Sequence, residues 1–178
     1  IPYNIEIVDW GNIPFTNDGQ QFSASYGGLP NLAWKGTMKN AIGTPSILQQ
    51  TSLYNAFYNV QIPAIDFSGI ENWDINEVIN TKQMFQYATN FNNDIHKWNT
   101  GNIINMADML QQTAFNQDIS GWDTTNVTNM SQVFYGCDQF NYDLSWNTSN
   151  VTIMSATFST CSDFNGDITK WDTGLVTN

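Results

Sequence analysis

Apolar and polar positions along this chain recur with a period far longer than that of a helix or a strand. Tryptophan marks it: Trp73, Trp98, Trp122, Trp146 and Trp171 follow one another at intervals of 25, 24, 24 and 25 residues. Five positions after each Trp stands an aliphatic residue, Val78, Ile103, Val127, Val151 or Val176. Eight positions after come Thr81, Met106, Met130 and Met154, and twelve after come Phe85, Leu110, Phe134 and Phe158. Ahead of the next Trp stands Phe91, Phe115, Phe140 or Phe164, each followed by Asn and, after one intervening residue, by Asp94, Asp118, Asp143 or Asp167. Self-similarity at such a spacing marks stacked repeats, in which each unit buries its apolar face on its neighbours.

Each unit is predicted to have three parts. FNQDIS, with Phe115 and Ile119 spaced like inward residues, reads as a short strand that stacks on its copies in a parallel ladder. WDTTN reads as a turn, because Asp, Asn and Thr side chains bond to nearby backbone. VTNMSQVFYGC places Val127, Met130 and Phe134 at intervals of three and four and stops at Gly136, the pattern of a short helix. The expected fold class is α/β: a right-handed, leucine-rich-repeat-like solenoid of about 24–25 residues per turn and about seven turns. On this reading the Trp, Phe and Met columns named above form the repeat core.

The N-terminal third is less regular. In YNIEIVDW, Ile5, Ile7 and Trp10 alternate with polar residues like a strand, and Phe15 and Phe22 keep the repeat spacing after Trp10. Residues 1–60 are expected to be a capping region with degenerate turns, KGTMKNAIGTP being an insertion, and residues 61–178 the regular repeats of one continuous domain. The chain begins without Met and stops at Asn178, just short of the Met column, so a fragment or processed product of a longer protein is expected.

The unit FNQDISGWDTTNVTNMSQVFYGC resembles the repeat of BspA-like bacterial surface proteins, a family first met as a repeat of unknown function in mycoplasma lipoproteins and related to leucine-rich repeats. The FNxD, W[DN]T and NVTxM signatures carry the likeness over residues 61–178. Residues 1–60 match more loosely, through DWGN and Asn55-Ala56-Phe57-Tyr58. Trp73-Asp74-Ile75-Asn76-Glu77, Thr81 and Leu110 depart from the pattern. The resemblance implies an exported or surface-displayed repeat protein without catalytic residues, used for adhesion or as a structural stalk.

Composition narrows the partners. Hydrophobic residues make up 41% of the 178 and aromatic ones 14%, too many for a disordered chain. No apolar run reaches the roughly 18 residues that span a membrane, and Ile1 opens no signal-peptide pattern. The net charge is −11, which repels phosphate backbones and anionic lipids, so neither nucleic acid nor membrane insertion of this segment is expected. An extracellular, cell-surface or virion-surface setting suits such acidity. The expected partners are a protein or glycan on a cell surface, or copies of the chain itself in an assembly.

The columns that can carry chemistry are few. Asp94, Asp118, Asp143 and Asp167 stack with no basic residue between them. They are expected to accept backbone N–H groups of the following turn; the alternative is a row of Ca²⁺ held with the neighbouring Asn residues. Otherwise no cofactor and no metal is expected. The column after Trp alternates, Asp74, Asn99, Asp123, Asn147, Asp172, and is assigned to turn-making. Cys137 and Cys161 share a column with Ala88 and Thr113, a slot for a small buried side chain. His96, the only histidine, has no second imidazole or nucleophile in register, and no pair of carboxylates stands apart, so no enzyme is expected. Thr100, Thr124, Thr148 and Thr173 form a threonine file of the kind seen in ice-binding solenoids. Trp34, Tyr87, Tyr135 and Tyr142, off the core columns, are the candidate binding surface, with Tyr26 and Tyr58 beside them.

Overall fold

The computed structural model of the protein describes residues 51–59, 67 and 69–178. Of the expected cap, residues 1–50 and 60, with the KGTMKNAIGTP insertion, Tyr26 and Trp34, lie outside the described residues. Within them, each unit lies parallel on the one before it. Strand β1 (Thr51–Ser52) pairs in parallel with β2 (Val78–Asn80), Thr51 opposite Val78 and Ser52 opposite Asn80. Single parallel bridges then join Asn80 to Asn105, Asn105 to Asn129 and Asn129 to Ile153. The single helical piece among the described residues is a 3-10 turn at Ile70–Asn72.

Two expectations about the unit are corrected. No strand forms in FNQDIS; the parallel pairing runs through NVTNM instead. Phe115 and Ile119 do face inward, but side chains rather than a ladder serve the backbone between them. The Asn116 N–H donates to Asn92 Oδ1 at 2.8 Å and the Ser120 N–H to Asp118 Oδ1 at 2.9 Å.

Nor does VTNMSQVFYGC form a helix. An α-helix gives every amide to a carbonyl four residues back in its own chain. Here Met130, Gln132, Phe134 and Gly136 donate instead to Ile153, Ser155, Thr157 and Ser159 of the next turn, at 3.0, 2.9, 3.0 and 3.0 Å. The amides between them close reverse turns: Val133 bonds back to Met130, Tyr135 to Gln132 and Cys137 to Phe134. The same four-amide pattern joins Met106, Asp108, Leu110 and Gln112 to Asn129, Ser131, Val133 and Tyr135. Such turns need left-handed backbone, found at Gln132 (φ 54°) and Gly136 (φ 70°), and at Asp108 and Gln112 (58° and 57°) one unit earlier. Each non-glycine there costs about 1 kcal/mol, which a cross-turn hydrogen bond of similar size offsets. The helix-like spacing of Val127, Met130 and Phe134 is therefore the spacing of linked turns.

The interior is a set of files along the stack. Trp98, Trp122, Trp146 and Trp171 lie ring on ring, with centroids 6.3, 6.1 and 6.2 Å apart and planes within 8°. Phe91, Phe115, Phe140 and Phe164 do the same at 5.9, 6.2 and 6.1 Å. Within a unit the two Phe columns stack closely, Phe85 on Phe91 at 3.7 Å, Phe134 on Phe140 at 4.1 Å and Phe158 on Phe164 at 3.9 Å. Trp73, Met106, Met130 and the first three members of the Trp and Phe files are buried, and so are Thr81 and Leu110, two of the departures from the pattern. Met154, Phe158, Phe164 and Trp171, in the last turn, are partly buried against them. Offset ring pairs add roughly 0.5–1.5 kcal/mol each beyond the area they bury.

Candidate functional site

The Asp column makes a corner of each turn. Asp94, Asp118 and Asp167 accept the backbone N–H two residues on in their own turn, from His96, Ser120 and Thr169, at 3.1, 2.9 and 2.8 Å. Only Asp143 takes an N–H of the following turn, that of Asp167 at 2.7 Å, so the expected partner is corrected for three of the four. A short side chain whose oxygen accepts can close such a turn on itself, the part that Asp plays in this column. The His96 ring at 2.7 Å, and then its N–H, hold the Asp94 carboxyl below the usual range; backbone N–H groups do this for Asp118 and Asp167. Among the described residues no three His, Cys, Asp or Glu side chains are gathered as metal ligands. The column after Trp closes turns in the same way, Asp123 Oδ1 accepting the Thr125 N–H at 3.0 Å and Asn147 Oδ1 that of Ser149 at 3.1 Å.

The threonine file is interior as far as Thr148, and Thr173, in the last turn, is exposed. Thr100, Thr124 and Thr148 are buried, and their hydroxyls donate to the carbonyls of Asp123, Asn147 and Asp172 at 3.0, 3.0 and 2.9 Å. The cysteine slot is interior too. Both thiols are free and buried, Cys137 Sγ donating to the Leu110 carbonyl at 3.0 Å and Cys161 Sγ to that of Phe134 at 2.7 Å. Burial pushes the Cys137 thiol up to about 12 and the Cys161 thiol up to about 11, so neither is a thiolate nucleophile at neutral pH.

Half-buried tyrosine rings gather along one edge, where the reverse turns bend back. Tyr58 and Tyr87, from neighbouring turns, meet edge to face at 5.7 Å and 82°, both half-buried. Tyr135 lies on the same edge two turns beyond Tyr87, with the exposed Gln112 amide in the turn between. Beneath runs a chain of side-chain amides: Gln86 Nε2 donates to Gln111 Oε1, and Gln111 Nε2 to Gln132 Oε1 at 2.9 Å. Gln112 lies over Gly136, where any Cβ would run into it. Tyr142 is not part of this edge; it tilts on Phe140 at 6.0 Å and 51°. The sequence reading missed the glutamines, although Gln86 and Gln111 share a column with Tyr58 and Tyr135.

A family profile described as a Mycoplasma protein of unknown function, DUF285, matches residues 51–145 and, a second time, residues 114–178. No curated protein and no solved structure matches the chain.

Proposed function

The chain belongs to the DUF285 family of mycoplasma-type repeat proteins of unknown function, and from the stacked repeats and the acidic composition we propose a non-catalytic extracellular module that serves as a structural or adhesive surface protein. Its finer architecture is read as a right-handed, leucine-rich-repeat-like solenoid of the BspA-like kind. One observation supports the reading above the others. In four consecutive turns the Trp indole N–H reaches back to a carbonyl of the previous turn, Trp98 to Ile70, Trp122 to Ile95, Trp146 to Ile119 and Trp171 to Leu144, at 2.8–3.1 Å. Such repetition makes a rod whose length follows from the number of units, which is what a stalk needs. An acidic exterior of net charge −11 suits solubility and keeps the rod off nucleic acid and anionic lipid.

The test is where the protein sits and what it does there. Protease treatment and antibody labelling of intact source cells or particles should remove and detect it, and beads coated with it should adhere to cells. A protein found only inside the cell, or one that turns over a substrate, overturns the proposal. A second reading, a specific glycan- or protein-binding module such as a fibre domain, is favoured by the Tyr58–Tyr87 pair.

A further inference from the structure

We propose that the edge formed by Tyr58, Tyr87, Gln112 and Tyr135 binds a neutral glycan laid along the stack. The proposal rests on the adhesive reading and names its ligand class. The two columns that form this edge run Tyr58-Asn59, Gln86-Tyr87, Gln111-Gln112, Tyr135-Gly136 and Ser159-Thr160. None of these ten positions is charged, on a chain whose net charge is −11. The columns themselves offer a ligand rings, amides and hydroxyls.

The rings and amides complement a sugar. Its C–H face packs on an aromatic ring, and its vicinal hydroxyls pair with the donor and acceptor that one side-chain amide carries together. Tyr58 and Tyr87 are almost perpendicular, so they form two walls of a notch rather than one flat platform. Gln112 and then Tyr135 continue the edge by one turn each, so a linear oligosaccharide meets a ring or an amide at every unit.

The experiment is calorimetric titration with linear neutral oligosaccharides of four to six hexose or N-acetylhexosamine units, with sialylated and sulfated chains alongside. Binding of at least one neutral series is expected, weakened about tenfold by Tyr87→Ala and restored in large part by Tyr87→Phe, as loss of one stacking ring implies. Gln112→Ala should weaken it by a smaller factor, and Lys97→Ala, remote in the fold, should leave it unchanged. Melting curves of each variant separate lost binding from lost folding. No binding of any neutral series, binding of anionic chains only, or binding indifferent to Tyr87→Ala in a folded variant overturns the proposal. Cell adhesion that persists without neutral-glycan binding overturns this edge alone and leaves the adhesive reading standing.

Discussion

The two arcs of the turn around Trp122 are joined to the neighbouring turns by different chemistry. Along the arc 127–137, backbone bonds to backbone: four alternate amides from Met130 to Gly136 are given to the following turn. Along the arc 115–126 the bonds between turns use side chains. Trp122 Nε1 reaches Ile95 at 3.1 Å, Thr124 Oγ1 reaches Asn147 at 3.0 Å, and Asn126 Nδ2 reaches Gly101 at 2.7 Å. The difference explains where the repeat is strict. Trp, Thr and Asn recur unchanged in Trp98, Thr100 and Asn102 and in Trp146, Thr148 and Asn150, because each carries its own cross-turn bond. The backbone arc accepts Thr81 for Met and Leu110 for Phe, and it puts Gln83, Asp108, Gln132 and Ala156 at one left-handed position. Any residue with an N–H makes that bond.

The largest effect is expected where a side chain both fills the core and bonds across. Trp122→Ala should lower unfolding free energy by about 3–5 kcal/mol, measured by denaturant titration. Trp122→Phe sharpens the comparison: it keeps a ring but leaves the buried Ile95 carbonyl without its donor, a loss of roughly 1–3 kcal/mol. If Trp122→Phe were neutral, the side-chain arc would be held by packing alone.

On the backbone arc the same logic predicts tolerance to side chain and intolerance to proline. Gln132→Pro removes the N–H given to Ser155 and imposes φ near −65° where the chain holds 54°, at a cost of about 3 kcal/mol or more. Gln132→Gly should stabilise instead, by up to about 1 kcal/mol, because glycine adopts the left-handed region freely. Both measured by thermal melting, a mild Gln132→Pro would break the distinction between the arcs.

The same division decides what the sequence makes legible. Columns that touch through side chains are visible as identities, so the period, the Trp and Phe files and the small-residue slot at Ala88, Thr113, Cys137 and Cys161 can be read directly. Backbone-to-backbone bonding leaves no residue signature. The parallel pairing at Asn105 and Asn129 therefore went unread, and Phe115 and Ile119 drew a strand to the wrong arc. Linked turns imitate a helix in spacing, since Val127, Met130 and Phe134 face one way in either. Left-handed φ at Gln83, Gln132 and Ala156 has no sequence cue, and Asn55 and Asp108 in the same column are only weak ones. Of the edge residues, the tyrosines stood out by lying off the core columns, whereas Gln86 and Gln111 gave no reason to be singled out.

At the end of the backbone arc the buried thiols give an effect that is absent at neutral pH and grows with alkalinity. Their folded values, raised to about 12 for Cys137 and about 11 for Cys161, exceed the ordinary 9.0. Stability is thus fully present below pH 9.0, where both states are protonated, and falls above it as the unfolded chain alone loses protons. The loss approaches about 1.4 kcal/mol per pH unit for each thiol until its folded value is reached. Melting at pH 8 to 11 should show this fall, and Cys137→Ala, which places in the slot what Ala88 has, should flatten it.

The smallest effect is expected at the Asp corner, and it tests whether the side-chain arc needs an ion. Asp94, Asp118 and Asp167 are held below their ordinary 3.8 by hydrogen bonds, so their contribution is present above pH 3.8 and is lost as pH falls through the lowered values. These carboxylates are exposed, so water screens what they contribute, and a small downward drift of melting temperature between pH 5 and 3 is the expected size. Asp118→Asn should keep the turn, since the amide oxygen still accepts the Ser120 N–H, while removing the acid dependence. Were a row of Ca²⁺ holding the corners, Asp118→Asn would instead cost stability at neutral pH and a chelator would lower the melting temperature. With the N–H groups already serving the carboxylates, chelator should leave melting unchanged. A chelator-dependent drop would mean that ions, and not peptide groups, join the turns on this arc.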